Sequence, residues 1–301
     1  MKDEKGRTSA TKHPMWPVHS PQRHSTGSWM FGVGCWMFCH HLPAMTYCLS
    51  LLCREGIVFI SDSRTSAGVD NITIQPKMRV YAEKGDRVIC LMTSGNLSIT
   101  QSVYALIEED LLVGKTEANQ SHLMNQRTLF ETARYVGSKI RAVSKMDREA
   151  LEAAGFGFNI NVLVGGQIAG QKHEIHYVYP QGNTLQASVV SPFLQIGEFK
   201  YGKPILDRGF NFDTSLRDAI TFGMLSMEAT VKSNVSVGPP IDVFAYESDS
   251  LNVKYRSRLE EGDAYFHEIQ TKWNHGIVQL VATMPHMHFP GIQTQPGESL
   301  L

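Results

Sequence analysis

The chain has 301 residues, 42% of them hydrophobic and 19% charged, which is the composition of a soluble globular protein with one large or two small domains. A formal net charge of -1, with no dense run of Lys and Arg, argues against a nucleic-acid-binding protein. No apolar run approaches the roughly 20 residues that cross a bilayer, so membrane insertion is not expected either.

The cysteines are few and irregularly placed. There are five of them, at positions 35, 39, 48, 53 and 90. An odd number at these spacings is not typical of a disulfide framework and indicates a reducing compartment. We therefore expect a cytoplasmic protein.

Residues 1–45 differ from the remainder of the chain. They contain three of the four tryptophans and five of the twelve histidines, with little helical or strand periodicity. The segment "WMFGVGCWMFC" can be read as the apolar core of a signal peptide, but the following "LPAM" lacks the small-x-small pattern of a cleavage site. We expect a poorly ordered extension that is removed from the protein or stems from a misassigned start.

Two histidine-containing segments were considered as metal sites. "CWMFCHH" has two cysteines and two histidines, but a structural zinc site has a second ligand pair beyond a loop, and none follows. His173 and His176 are three residues apart, so on a strand their side chains point to opposite faces. With no Gly-rich nucleotide-binding loop present, we expect neither a metal nor another cofactor.

Regular patterns begin at Thr46. The apolar, β-rich runs "TYCLSLLC" and "GIVFIS" are joined by "REG", and a short connection containing Gly predicts a hairpin. Strands are also predicted for "NITI", "MRVYAE" and "RVICLMTS". Apolar residues at helical spacing then predict helices over 97–111 and 128–148.

In the second half of the chain, predicted strands and helices again follow one another in groups. "NINVLVGG" and "HEIHYVYP" predict strands, residues 214–232 a helix, "IDVFAYE" and "LNVKYR" strands, and residues near 261–275 a last amphipathic helix. Runs of strands and helices without βαβ alternation favour antiparallel sheets covered by helix layers, an α+β fold.

The motifs of this region resemble a known family. A threonine opening the hairpin, "SDSRTSAG", "PKMRV" and "TSGN" occur in the order found in β-type proteasome subunits, which are N-terminal nucleophile hydrolases. "IGEFKYGKPILDR" and "SVGPPIDVFAY" are most similar to the bacterial Anbu branch. The resemblance covers residues 46–290 and implies a four-layer αββα sandwich of two antiparallel sheets flanked by helices, with a flexible tail over 291–301. It also implies a ring-like or helical homo-oligomer, for which the helices at 97–111 and 128–148 are candidate contact surfaces.

Thr46 is the nucleophile that the resemblance implies. A threonine hydroxyl needs a base, and the free α-amine of the same residue, with a pKa near ~8, can accept its proton. Thr46 therefore has to be the first residue of the active chain. Relatives that mature by self-cleavage have Gly before the threonine, whereas Met45 precedes it here. The simpler interpretation is that Met45 is the true initiator and is removed by methionine aminopeptidase.

Three further residues match the catalytic positions of the family. The ammonium of Lys77 favours deprotonation of Thr46, and Asp62 keeps that ammonium charged and oriented. Gly95 of "TSGN" is implied to present its backbone N–H to the oxyanion. Taken singly, each also has an ordinary interpretation: a solvated surface residue for Asp62 or Lys77, and a turn for Gly95.

The remaining positions depart from the family pattern or are less specific. Ser66 is implied to lie on the edge to which a peptide substrate adds as a strand, although it also fits a polar loop. Glu198 takes the place of the serine in the family's Gly-Ser-Gly motif, where it can pair with the Thr46 amine or Lys77 or remain solvated. Ser233 replaces an aspartate, and Ser236 keeps the second catalytic serine.

The sequence therefore predicts a threonine-type endopeptidase subunit that cleaves peptides or unfolded proteins by acyl transfer through Thr46. Two alternatives stay open because of the altered positions. One is a weakly active or inactive self-assembling shell protein. The other is an amidase of the same superfamily that acts on a non-peptide amide.

Overall fold

The computed structural model describes residues 46–66, 72–117, 119–285 and 287. The predicted extension over 1–45, with its signal-peptide and metal readings, lies outside these residues, as does the predicted tail over 291–301.

The strands form two five-stranded antiparallel sheets and one small pair. They are β1 (Tyr47–Cys53), β2 (Gly56–Asp62), β3 (Arg64–Ser66), β4 (Ile72–Ile74), β5 (Met78–Glu83), β6 (Arg87–Gly95), β7 (Ile160–Ile168), β8 (Glu174–Val178), β9 (Thr184–Gln186), β10 (Phe193–Gly197), β11 (Ile241–Glu247) and β12 (Tyr255–Leu259). The first sheet has the order β10-β1-β2-β11-β12 and the second β5-β6-β7-β8-β9, while β3 pairs with β4.

Five α-helices accompany the sheets in the described part of the chain. They are α1 (Leu97–Val113), α2 (Leu129–Ala153), α3 (Lys203–Gly209), α4 (Leu216–Ser233) and α5 (Ala264–Ala282). Side chains of Asn96, Thr128, Ser215 and Asp263 accept hydrogen bonds from backbone N–H groups in the first turns of α1, α2, α4 and α5. Each cap satisfies a donor that has no partner inside its helix, which fixes where these helices begin.

Three apolar clusters fill the spaces between four layers. Leu49 and Leu51 of β1 pack with Met224 and Met227 of α4, on the outer face of the first sheet. The opposite face of β1, with Cys48 and Leu52, packs against strands of the second sheet. A third cluster lies between the second sheet and helices α1 and α2. The αββα sandwich implied by the family resemblance is therefore confirmed.

β1 and β2 illustrate why the hairpin forms. All residues of both strands are buried, because one face meets the helix layer and the other meets the second sheet. The predicted hairpin is confirmed, but its loop is Arg54 and Glu55 and not the three residues "REG", because Gly56 pairs with Cys53 and belongs to β2. Strand β12 starts later than the "LNVKYR" prediction, because Asp249 and Leu251 have positive φ angles of 61° and 40° that belong to a turn.

Within the described ranges, no helix combines the length and the apolar character needed to cross a membrane.

Candidate active site

The β1–β2 hairpin brings Thr46 and Asp62 to the same end of the first sheet. Thr46 directly precedes β1, and Asp62 is the last residue of β2. The backbone N–H of Tyr47 donates to Asp62 Oδ1 at 3.0 Å. This bond fixes the carboxylate beside the peptide unit that links Thr46 to β1.

Lys77 binds the same carboxylate oxygen. Its Nζ lies 2.7 Å from Asp62 Oδ1 and 2.6 Å from the carbonyl oxygen of Arg64. Asp62 is fully buried and Lys77 is 7% exposed. Burial raises the pKa of the Asp62 carboxyl, and the Lys77 ammonium acts in the opposite direction. The ordinary reading of Asp62 and Lys77 as solvated surface residues is therefore wrong.

Glu198 reaches Thr46 through its backbone. β10 pairs with β1 so that Gly197 lies opposite Tyr47, and the Glu198 N–H donates to the carbonyl oxygen of Thr46 at 2.7 Å. Gly197 has a φ of +84°, and a Cβ on it would lie 1.8 Å from that carbonyl oxygen. Glycine is required at this position because any side chain would push β10 away from Thr46.

The side chain of Glu198 is buried and has polar neighbours. The amide of Asn234 donates to its Oε2 at 3.2 Å, and Lys200 Nζ lies 3.4 Å from its Oε1. Asn234 also accepts the backbone N–H of Ser236 at 2.9 Å, which ties Ser236 to the site. Ser233 is exposed at the end of α4, so Asn234, and not Ser233, is the residue of this segment that contacts Glu198.

Asn234 was missed because the family motif directs attention to the positions of the aspartate and serines. Its burial is the signal that distinguishes it. Asn234 is 9% exposed in a loop where Val235 is 83% exposed. A buried amide in such a loop requires polar partners, and Glu198 and Ser236 supply them.

Gly95 ends β6 and lines a cavity of about 310 Å³ that Glu198 also lines. Its φ is +112°, and a Cβ on it would lie 2.4 Å from the carbonyl oxygen of Asn159. The glycine is therefore needed by the backbone itself, and its predicted contact with an oxyanion stays a prediction.

The ring of Tyr47 anchors β1 beneath the site. Its hydroxyl lies 2.6 Å from Ser226 Oγ of α4 and accepts a hydrogen bond from Gln195 of β10. Burial raises the pKa of Tyr47 well above its ordinary value. The neutral phenol therefore serves as a hydrogen-bonded link between α4, β1 and β10.

Cys48 is the rival nucleophile nearest to Thr46 in sequence. It is fully buried, and burial together with the negative charge of Asp62 raises the pKa of its thiol well above the ordinary value. Because the thiolate is the reactive form, this thiol is inert at neutral pH.

Ser66 has no contact with this hydrogen-bonded group among those that the structure describes. Its backbone ends β3 and pairs with Ile72 of β4, whereas its side chain is not described. Its role in substrate binding stays a prediction.

Among the described residues, no group of three or more His, Cys, Asp or Glu side chains could hold a metal ion.

Comparisons with known proteins support the fold and identify relatives. No protein-family model matches the chain. The proteasome subunit beta of Haloquadratum walsbyi is 22% identical over 218 residues, which are 72% of this chain and 79% of the relative. The solved structure of Anbu (ancestral beta-subunit) from Yersinia bercovieri is 38% identical, with a TM-score of 0.75, and covers 81% of this chain and 99% of its own.

A second solved structure is similar to this chain to a similar degree. The helical assembly of the Anbu complex from Pseudomonas aeruginosa contains a chain that is 37% identical, with a TM-score of 0.75 and coverage of 81% of this chain and 98% of its own. A relative this similar over nearly its whole length shares both fold and descent. The chain therefore belongs to the Anbu family of proteasome β-type proteins.

Proposed function

We propose that this protein is a threonine-type peptidase whose nucleophile is Thr46 once its α-amine is free. The single observation that carries the proposal is the shared contact of Asp62 Oδ1 with the Tyr47 N–H and Lys77 Nζ. It holds a buried ammonium beside the residue that follows Thr46. A positive charge there favours the deprotonated forms of the Thr46 hydroxyl and amine.

The reaction would proceed in two acyl-transfer steps. The α-amine of Thr46 accepts the hydroxyl proton while Oγ1 attacks the substrate carbonyl carbon, and the Gly95 N–H stabilises the oxyanion. The C–N bond then breaks, and the proton passes to the leaving amine. Water hydrolyses the resulting ester and restores Thr46.

A retained upstream segment removes the base from this scheme. When Met45 is attached, the Thr46 nitrogen is an amide and cannot accept a proton. We therefore propose that the active chain lacks residues 1–45, whether through its start at Met45 or through processing.

The decisive experiment compares two forms of the protein. A chain started at Met45 and the full chain are treated with a threonine-directed electrophile and analysed by mass spectrometry. We expect Thr46 at the amino terminus of the first form and a mass increment on that residue, with no increment on the full chain. An unlabelled Thr46 that is free at the terminus would contradict the proposal, as would an active enzyme that keeps Met1.

We also propose that the protein self-associates. The relative from Pseudomonas aeruginosa is described as a helical assembly. In the present chain the second half of α5 exposes Ile277, Val278, Leu280 and Val281, and Phe266 is the buried residue of this helix. An apolar surface of this kind is typical of a subunit contact. We favour α5 as the main contact surface; α1 and α2 remain predicted surfaces.

A non-catalytic shell protein is the second candidate function. It is favoured by Glu198, since a carboxylate stands where the family has a serine and is already bound by Asn234. The same labelling experiment separates the two functions, because a shell protein would assemble without reacting. An amidase that acts on non-peptide amides would react with the electrophile but leave peptides intact.

A further inference from the structure

The cavity shared by Gly95 and Glu198 lies between the ends of strands from both sheets. Its volume is about 310 Å³, at the small end of the range for ligand sites, and suits one side chain better than a large ligand. Ser94, Asn161, Tyr177 and Gln195 also line it. The cavity lies next to Thr46, because Gly197 and Glu198 line it and also contact the carbonyl oxygen of Thr46.

Several hydrogen-bond donors of the lining are bound to neighbouring side chains. The Tyr177 hydroxyl donates to Asn161 Oδ1 at 2.6 Å, and the Asn161 amide donates to Asn159 Oδ1 at 3.3 Å. The amide of Gln195 donates to the Tyr47 hydroxyl. The phenol oxygen of Tyr177 and the carbonyl oxygen of Gln195 can therefore accept hydrogen bonds from a ligand.

Ser94 adds a hydroxyl group to the lining of the cavity. This residue is 5% exposed, and its Oγ has no hydrogen-bond partner within the described part of the chain. Buried hydroxyl groups are normally satisfied. A hydrogen-bond donor bound in the cavity would supply the partner.

Glu198 adds a negative charge to this acceptor-rich lining. Its side chain is 8% exposed, and its basic neighbour Lys200 is 62% exposed and 3.4 Å away. That distance exceeds the 2.7–2.9 Å or so of a strong charged hydrogen bond. The carboxylate is therefore only partly neutralised, and a cation that enters the cavity gains its charge.

We propose that this cavity binds a positively charged substrate side chain, lysine or arginine, next to the bond that is cleaved. Glu198 pairs with the ammonium or guanidinium, and Ser94, Tyr177 and Gln195 accept its remaining N–H groups. The placement beside the scissile bond rests on the proposed function of Thr46, whereas binding of the cation does not.

Binding is tested without catalysis. The form started at Met45, which contains every strand of both sheets, carries Thr46→Ala and is titrated with arginine amide and with norleucine amide by calorimetry or NMR. We expect arginine amide to bind at least tenfold more tightly than norleucine amide.

Variants test the role of Glu198 in this binding. Glu198→Gln should lower the affinity for arginine amide at least tenfold. Lys200→Gln should raise this affinity, because the lysine no longer competes with the ligand for Glu198. Asp207→Asn, which removes an exposed carboxylate on α3, serves as the matched control and should change nothing.

A cleavage assay separates this inference from the proposed function. Wild-type protein and Glu198→Gln are given matched peptides that have arginine or norleucine on either side of the scissile bond. A preference of tenfold or more for arginine, lost in Glu198→Gln, supports the subsite whatever the absolute rate. Binding discrimination without cleavage would overturn the peptidase alone. Equal binding of the two amides, or an affinity that Glu198→Gln leaves unchanged, would overturn the subsite, even in an active peptidase.

Discussion

The α-carbon of Gly197 approaches the carbonyl group of Thr46 so closely that a Cβ on Gly197 would lie 1.8 Å from the Thr46 oxygen. Strand β10 can therefore pair with β1 at this point only through a glycine. The contact places the Glu198 N–H on the same oxygen, at 2.7 Å. The position of Thr46 thus depends on a residue far from it in sequence.

Gly197→Ala should destabilise the protein more than its backbone angle alone explains. Gly170 has a similar φ, +74° against +84°, but a Cβ on it would meet no atom within 4 Å. We expect Gly170→Ala to cost about 1 kcal/mol for the left-handed backbone. Gly197→Ala should cost about 3 kcal/mol, since overpacking adds to the same strain. Urea unfolding of both variants measures the difference, and equal losses would show that β10 can shift at no cost.

Lys77→Met should remove labelling of Thr46 and also weaken the fold. Loss of one partner of a buried ion pair costs about 3–5 kcal/mol, because the charge of Asp62 is left without compensation. The double variant Lys77→Met with Asp62→Asn should recover much of this stability and still not react. A reactive double variant would mean that another group activates Thr46.

The pH dependence of Lys77→Met follows from the burial of Asp62. Burial raises the pKa of that carboxyl, and Lys77 no longer opposes it in the variant. The folded protein then binds a proton at Asp62 more tightly than the unfolded chain does. The contribution of Asp62 to stability is therefore greatest below the ordinary Asp pKa of about 3.9 and falls as the pH rises through the raised value. Unfolding of the single and double variants across this range measures the effect. A flat profile for Lys77→Met would contradict it.

Asp110→Asn should reduce the stability of the helix layer in a pH-dependent manner. Burial acts to raise the pKa of Asp110, but hydrogen bonds from Lys139 and Tyr135 outweigh it, so the pKa lies below its ordinary value. The stabilising effect is present above about pH 4 and is lost as the pH falls through the lowered value. We expect a loss of about 1 kcal/mol at pH 7 that disappears in acid. Asp207→Asn, in an exposed pair with Lys203, is the control and should cost about 0.3–0.5 kcal/mol.

Leu280→Lys should shift the protein from assemblies toward smaller species. Leu280 is 55% exposed on α5, so the charge disturbs a subunit contact without entering the core. Leu112→Lys on α1, at a residue that is 63% exposed, tests the other predicted surface. Light scattering at micromolar concentration follows both. If Leu112→Lys dissociates the assembly and Leu280→Lys does not, the subunit contact lies on α1 and not on α5. A monomeric wild-type protein would contradict the proposal that the protein self-associates.

Local patterns in the sequence predicted the buried hairpin and the long helices, because those elements have continuous apolar runs or helical spacing. The sequence pattern does not predict β10, and the reason is physical. Its residues are mostly half-buried, and its partner β1 lies more than a hundred residues earlier, so no turn signal announces the pairing. Strand β9 and helix α3 were likewise missed, since each is short.

Some residues of the candidate site could be predicted from the sequence, whereas others are revealed only by the structure. Thr46, Asp62 and Lys77 could be named from the motifs, because the hairpin holds the first two and Lys77 directly precedes β5. The contacts of Glu198 with Asn234 could not, since they depend on how the loop between α4 and β11 folds against β10. Asn234 carries no motif, and its role emerges only from burial and hydrogen bonding.

The dependence of Thr46 on β10 has a consequence for biosynthesis. A ribosome delivers the threonine before it delivers Gly197, Glu198 and Asn234, and the pairing of β1 with β10 closes a loop that spans about half of the chain. A nascent chain that already exposes the Thr46 hydroxyl therefore lacks the strand that contacts Thr46. Under the proposed function, the order of translation keeps an unfinished polypeptide from acting on itself or on its neighbours, since the site is complete only after β10 and Asn234 have emerged.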